Sequence, residues 1–347
     1  MREASLLAQR FHARTLALSG EPARVVDEVG FDSGVWRGGF SASDDGLLAY
    51  HNVTGGVGGQ FTWYDRAGRA LEKIGDRSEA YVPQLSPDGR RIAFLIGDPS
   101  NDVWVQELDR GIRTRMTTQG GVAASPVWSA DGTEILYVTQ EQDGFTLLAT
   151  PANGAGQRRV LYRQRERMEL TDRSRDGRFL LYDHGDLGIT DVRVLSLAGP
   201  PGAFPLVATP FVDRNGRFSP DGRWVAYTSR ETGRDEVYVT SFPGASTRLQ
   251  VSGGGGRTPR WRGDGRELYF VSGDGTLMAA AVDGTRSRFV VREVKPLFRV
   301  NIFDGPRTNL TAYDVSPDGQ RFLVNSAGDV GEPRVALISS WLAELSR

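Results

Sequence analysis

Apolar runs along this chain alternate with short polar clusters, and the same alternation recurs from end to end. The stretch from Ala80 to Thr118 shows the unit most clearly. AYVPQLS predicts a first strand, and Pro87-Asp88-Gly89 a turn: proline presets φ, aspartate bonds its own backbone, and glycine accepts positive φ. RRIAFLI is apolar throughout and predicts a second strand buried on both faces. VWVQELD alternates with period two, as a third strand does. RTRMTT is polar and predicts an outer strand facing water.

A corner of the type Ser-x-Asp-Gly punctuates the pattern seven times, with glycines at Gly46, Gly89, Gly132, Gly177, Gly222, Gly265 and Gly319. Successive gaps are 43, 43, 45, 45, 43 and 54 residues. That period is the length of one four-stranded propeller blade, about 40–45 residues. The expected fold is therefore all-β: a seven-bladed β-propeller of four-stranded antiparallel blades, with six blades as the alternative if an end copy is degenerate. The expected blades are 35–76, 80–119, 122–162, 166–209, 213–252, 255–299 and 307–342. The chain opens with SLLAQRF then EPARVV, which matches the end of the sixth copy, and it finishes after a third strand. The economical expectation is one domain over 1–347, its ring closed by joining N- and C-terminal strands. EPARVV, within 5–28, would then be the outer strand of the last blade. The recurring second-strand aromatics Phe94, Tyr137, Tyr182, Tyr227 and Phe270 should pack between neighbouring blades.

Composition narrows the function classes. The 42 basic and 43 acidic residues leave a net charge of −1, so there is no global attraction to nucleic acid or anionic lipid. With no cysteine, disulfides, zinc-thiolate sites and cysteine nucleophiles are excluded. No apolar stretch approaches about 18 residues, so no membrane span is expected. The first twenty residues carry no long apolar core or cleavage site and do not read as a signal peptide.

The corner Ser-Pro-Asp-Gly-Arg-x-apolar-Ala-Tyr/Phe resembles the WD40-like (PD40) repeat of the TolB family. Ser86–Gly89, Ser219–Gly222 and Ser316–Gly319 match its Ser-Pro-Asp-Gly in full; Ser129–Gly132 and Ser174–Gly177 match with one change. The copies at Ser43–Gly46 and Arg262–Gly265 are looser. RFSPDGRWVAYTSRETGRDEVYVTSFPG, GGGRTPRWRGDGRELYFVSGDGTLMAAAV and YDVSPDGQRFLVN are also similar to the C-terminal propeller of certain bacterial serine/threonine protein kinases. That resemblance implies a sensor domain, extracytoplasmic where a kinase and a membrane segment precede it and cytoplasmic otherwise. Kinase activity does not carry over, because the chain has no glycine-rich loop with a VAIK-type lysine, no HRD and no DFG.

Catalytic patterns are weak. Gly39-Phe40-Ser41-Ala42-Ser43 lacks the closing glycine of a nucleophile elbow and lies in a strand. His12, His51 and His184 fall in different copies. Asp183-His184-Gly185-Asp186 has metal-binding character, but a solvated loop outweighs a metal site there. Asp88, Asp131, Asp176, Asp221, Asp264 and Asp318 precede the corner glycines and are turn formers rather than paired carboxylates. Gly253 to Gly256 is followed by Arg257-Thr258-Pro259, not by a phosphate-loop lysine, so it reads as an inter-blade connection.

What remains is the ring's mouth. Residues just before each first strand crowd one end of a propeller channel: Trp36, Arg37, Tyr81, Ser125, Glu169, Arg214, Asn215, Arg257 and Tyr313. Arginines and aromatics are the usual binding anchors, and this set suits a small anionic ligand, a peptide or a protein partner; the plainer alternative is a ring of solvated loop residues. No cofactor or metal is implied. The expected function is a non-catalytic binding or sensor module. The rivals are a propeller lyase or hydrolase using scattered channel residues, and a TolB-like assembly scaffold.

Overall fold

Strand-forming runs and turn residues meet the expected plan almost throughout, because each corner closes its own hydrogen bonds locally. In the computed structural model the described residues are 5–26, 29, 31–32, 37–52, 58–78, 80–97, 101–117, 122–185, 189–284, 288–303, 312–327, 334–339 and 341. Among them every regular element longer than one residue is a strand. No described helix is long and apolar enough to cross a membrane. The seven corner glycines all have positive φ, between 67° and 86°. In the fifth copy, Gly222 N donates to Ser219 O at 2.8 Å and Ser219 Oγ donates to Asp221 at 2.6 Å. Trp224 N donates back to Ser219 Oγ at 3.0 Å. The corner aspartates are thus turn formers: Asp88, Asp131, Asp176, Asp221, Asp264 and Asp318 each accept the backbone N–H two residues on.

The chain divides into two units, 58–305 with 309–326, and 1–57 with 306–308 and 327–347. The larger unit holds six four-stranded sheets. Sheet I orders Ala80–Leu85, Arg91–Gly97, Asn101–Glu107 and Arg113–Arg115 from its inner strand outward. Sheet II orders Val122–Trp128, Glu134–Glu141, Gly144–Pro151 and Arg159–Gln164. Sheet III orders Met168–Arg173, Phe179–His184, Asp191–Ser196 and Gly202–Val207. Sheet IV orders Asp213–Phe218, Trp224–Ser229, Glu236–Ser241 and Arg248–Gln250. Sheet V orders Arg257–Trp261, Glu267–Val271, Thr276–Asp283 and Val290–Arg299. Sheet VI orders Tyr313–Val315, Arg321–Ala327, Gly59–Asp65 and Ala70–Ser78. Each inner strand contacts the next, and Tyr313–Val315 contacts Ala80–Leu85.

The second strands form the core, as their unbroken apolar runs require. Phe94, Tyr137, Tyr182, Tyr227 and Phe270 are all buried. They sit in clusters shared by successive sheets: Phe94 with Phe61 and Leu323, Tyr137 with Leu95, Tyr182 with Leu136, Tyr227 with Leu181, and Phe270 with Trp224. Burying one such ring is worth about 1.5–3 kcal/mol.

The smaller unit carries a hairpin of Leu6–His12 and Ala17–Val26, a short pair of Phe31–Asp32 with Arg37–Gly38, and a three-stranded sheet. That sheet orders Arg334–Ser339, Leu47–Asn52 and Phe40–Ala42. Here the structure departs from the expected blades. The first and seventh copies exchange third strands: Gly59–Asp65 joins Arg321–Ala327, and Arg334–Ser339 joins Leu47–Asn52. EPARVV pairs with the N-terminal strand instead of the last copy. The reason is burial. Phe61 and Trp63 fill the core between sheets VI and I, with the Arg321 guanidinium 4.8 Å from the Trp63 ring. Ala17–Val26 is largely exposed in its hairpin with Leu6–His12. The corner at Gly46 therefore belongs to the three-stranded sheet, and the expected boundaries 35–76 and 307–342 each straddle the two units.

Candidate functional site

The inner strands of the larger unit are bent at matching places. Val82, Ser125, Asn215 and Thr258 have φ between 52° and 57°, in the left-handed region that non-glycine residues rarely occupy. Ladder registers shift beside each of them. Each is a bulge, which turns the following side chains. Such strain persists only where its surroundings over-determine it, and it concentrates at functional sites.

Two residues before the corner of each sheet stand Gln84, Val127, Asp172, Arg217, Arg260 and Asp314. Two kinds of contact staple this layer. Indoles donate to backbone carbonyls of the preceding sheet, Trp128 Nε1 to Gln84 O at 2.9 Å and Trp261 Nε1 to Arg217 O at 3.0 Å. Carboxylates accept backbone N–H groups of the following sheet, Asp172 from Phe218 N at 2.8 Å and Asp314 from Leu85 N at 2.7 Å.

The arginines of this layer are buried, at 7% and 3% exposure for Arg217 and Arg260. Arg217 Nη1 donates to Gln84 Oε1 at 3.3 Å, from sheet IV to sheet I, and lies 3.9 Å from an Asp172 oxygen. Arg260 Nε donates to Asp314 at 3.1 Å and its Nη1 to Pro259 O at 3.1 Å. Burial, with the Arg260 charge added to it, pushes Arg217 down to about 9. Burial also raises Asp172.

A second layer lies nearer the strand starts. Glu169 and Asp183 are cross-strand neighbours in sheet III. Asn215 N donates to both Asp183 oxygens at 3.0 Å. Asp183, partly buried, is pushed up to about 8: desolvation outweighs the Asn215 N–H, and the Glu169 charge adds to the rise. Glu169 also pairs with Arg167 at 3.1 Å, and Arg214 with Asp235 at 2.7 Å.

The expected mouth residues thus separate. Glu169, Arg214, Asn215 and Arg257 lie on inner strands of sheets III, IV and V. Tyr81 and Tyr313 are core side chains: Tyr81 packs with Val82 and Tyr137, and Tyr313 donates its hydroxyl to Thr258 O at 2.8 Å. Their buried rings fill apolar space between sheets instead of standing at an exposed mouth. Ser125 is a buried bulge residue. Arg37 belongs to the smaller unit, where it pairs with Asp32 in the ladder, and Trp36 lies outside the described residues. Asp183 carries the perturbed carboxyl of the Asp183-His184-Gly185-Asp186 run, whose Asp186 lies outside the described residues. Among the described residues no three His, Asp or Glu side chains gather as metal ligands. Sequence inspection missed Gln84, Asp172, Arg217, Arg260 and Asp314. The available signal was charge at a fixed offset before each corner, inside strands otherwise expected to be buried.

No protein-family model and no curated protein matches the chain. Among solved structures it is similar to the putative TolB from Agrobacterium tumefaciens, at 17% identity over 78% of this chain and 98% of that one, TM-score 0.59. TolB from Acinetobacter baumannii aligns at 15% identity over 87% and 76% of the two chains, TM-score 0.54. The β-propeller domain of Myceliophteria thermophila Cps50 (Swd1) aligns at 12% over 76% and 87%, TM-score 0.52. At such identities the likeness speaks to architecture alone: the fold is that of a TolB-like, WD40-like β-propeller.

Proposed function

We propose that the larger unit is a six-bladed ring acting as a non-catalytic binding module for an acidic peptide. Two observations support the ring. Each pair of successive sheets shares an apolar cluster, sheet VI with sheet I included. Sheet VI is also assembled from both ends of the repeat array, two strands from each, which ties the last sheet to the first copy. The observation that carries the ligand class is the set of four arginines on two adjacent inner strands, Arg214 and Arg217 on one, Arg257 and Arg260 on the next, of which Arg214 pairs with Asp235 and Arg260 with Asp314. Guanidinium groups bind carboxylates through two parallel N–H donors, which gives both energy and orientation. The resemblance of the stretches 217–244, 254–282 and 313–325 to kinase-linked propellers supports a sensor role for such binding.

The test is fluorescence anisotropy with labelled acidic and basic peptides of equal length. Acidic peptides should bind with an affinity that falls as salt rises. Arg214→Gln and Arg257→Gln should each weaken them about tenfold or more, the range for losing a charged hydrogen bond of about 1.5–3 kcal/mol. Equal binding of both peptide classes, or of neither, refutes the reading.

One observation favours the enzyme alternative. A carboxyl raised to about 8 beside a second carboxylate has the form of an acid–base pair. Turnover of any hydrolase or lyase substrate that Asp183→Asn abolishes would establish it. The scaffold alternative draws support from the three-stranded sheet, where Val335 and Leu337 are 66% and 64% exposed on one face.

A further inference from the structure

We propose that Arg217 anchors a small oxyanion, a carboxylate or phosphate, held at the level two residues before the corners. The inference rests on the binding-module reading and assigns it a chemical end-point. Arg217 is more than nine-tenths buried, yet its bonding is incomplete. Nη1 has one long hydrogen bond, to Gln84 Oε1 at 3.3 Å, and an Asp172 oxygen at 3.9 Å. Nε is buried with no partner. Nη2 donates to no described residue.

A guanidinium in that state is costly, because a buried charge needs paired and hydrogen-bonded partners. The nearby carboxylates balance the charge but leave Nε of Arg217 and Nη2 of Arg260 without an acceptor. Asp314 is engaged by Arg260, Leu85 N and Val315 N. Asp172 accepts from Phe218 N and stays out of hydrogen-bond range of Arg217. Arg260 adds a second positive charge to the layer, with its Nη2 also buried and unpartnered. Gln84 turns its oxygen toward Arg217, so the side chain's NH2 can serve an incoming acceptor.

Asp172 exposes 25% of its side chain and Asp314 13%, so both carboxylates of this layer keep some contact with solvent. An oxyanion there gains the fork of Arg217 and the field of Arg260, set against the repulsion of Asp172 and Asp314.

Isothermal titration of the full chain with inorganic phosphate, and separately with succinate, tests this. Saturable binding at one site per chain is expected for at least one of the two. Phosphate alone identifies a phosphate site, and succinate alone a carboxylate site. Arg217→Gln should weaken binding tenfold or more. Arg217→Lys keeps the charge without the fork, is the gentler replacement in a buried layer, and should weaken it several-fold. Arg110→Gln, on an exposed outer turn, should leave it unchanged. No saturable binding to the wild-type chain overturns the proposal, as does binding indifferent to both Arg217 variants. Loss of binding in Arg214→Gln but not at Arg217 overturns it too, and leaves the peptide-binding reading standing. Acidic-peptide binding without any ion binding separates the two in the same way.

Discussion

Replacing Gly222 by valine isolates the strain of a corner from its packing. Gly222 has φ +70°, and a Cβ built there meets nothing within 4 Å. The cost is therefore conformational: about 1–2 kcal/mol for an L-residue in the left-handed region, and more for a β-branched one. In a domain of this size each kcal/mol moves the melting temperature by about 2–4 °C. Gly222→Val should thus melt about 2–8 °C lower by differential scanning calorimetry. Gly222→Asn should lose less, because asparagine visits this region readily. Gly263 supplies the contrast: a Cβ there would lie 2.4 Å from the Pro317 carbonyl oxygen, so Gly263→Ala adds a backbone clash. It should melt below wild type even though alanine is the smallest addition. An unchanged melting temperature in Gly222→Val, or asparagine as damaging as valine, would refute the argument from strain.

Three further outcomes follow from the packing and the charges. Desolvation pushes Asp183 up to about 8 in the fold against about 3.9 unfolded, so between those values the folded chain holds a proton the unfolded one has lost. Its contribution to stability therefore falls as pH rises across that window, and Asp183→Asn should gain on wild type between about pH 5 and about pH 9 in thermal melts; parallel pH profiles would contradict it. Trp261→Phe removes the indole N–H from the Arg217 carbonyl and should cost about 1 kcal/mol in urea unfolding, with no loss expected if the staple is idle. Trp63→Ala should cost about 3–5 kcal/mol if the third strands are exchanged, because the ring is buried between sheets VI and I; Leu337→Ser on the exposed face should stay within about 0.5 kcal/mol, and the reverse ranking would refute the exchange.

The architecture was legible because its determinants are local. A Ser-x-Asp-Gly corner closes its bonds within five residues, as Ser219, Asp221 and Trp224 do, and an apolar run such as 90–96 declares a buried strand wherever it lies. From the sequence alone came the all-β class, the repeat, the corner roles of aspartate and glycine, and the burial of Phe94, Tyr137, Tyr182, Tyr227 and Phe270. Strand exchange between the first and last copies was not legible, since QFTWYDR and PRVALIS both satisfy the pattern of a third strand and only the wedge around Phe61 and Trp63 discriminates between them. The charged layer was hidden for a related reason. Gln84, Asp172, Arg217, Arg260 and Asp314 are scattered over 231 positions, and each alone looks like an ordinary polar residue. Only tertiary packing brings Arg217 to Gln84 and Arg260 to Asp314, because burial and electrostatic coupling depend on distances in space that no local pattern encodes.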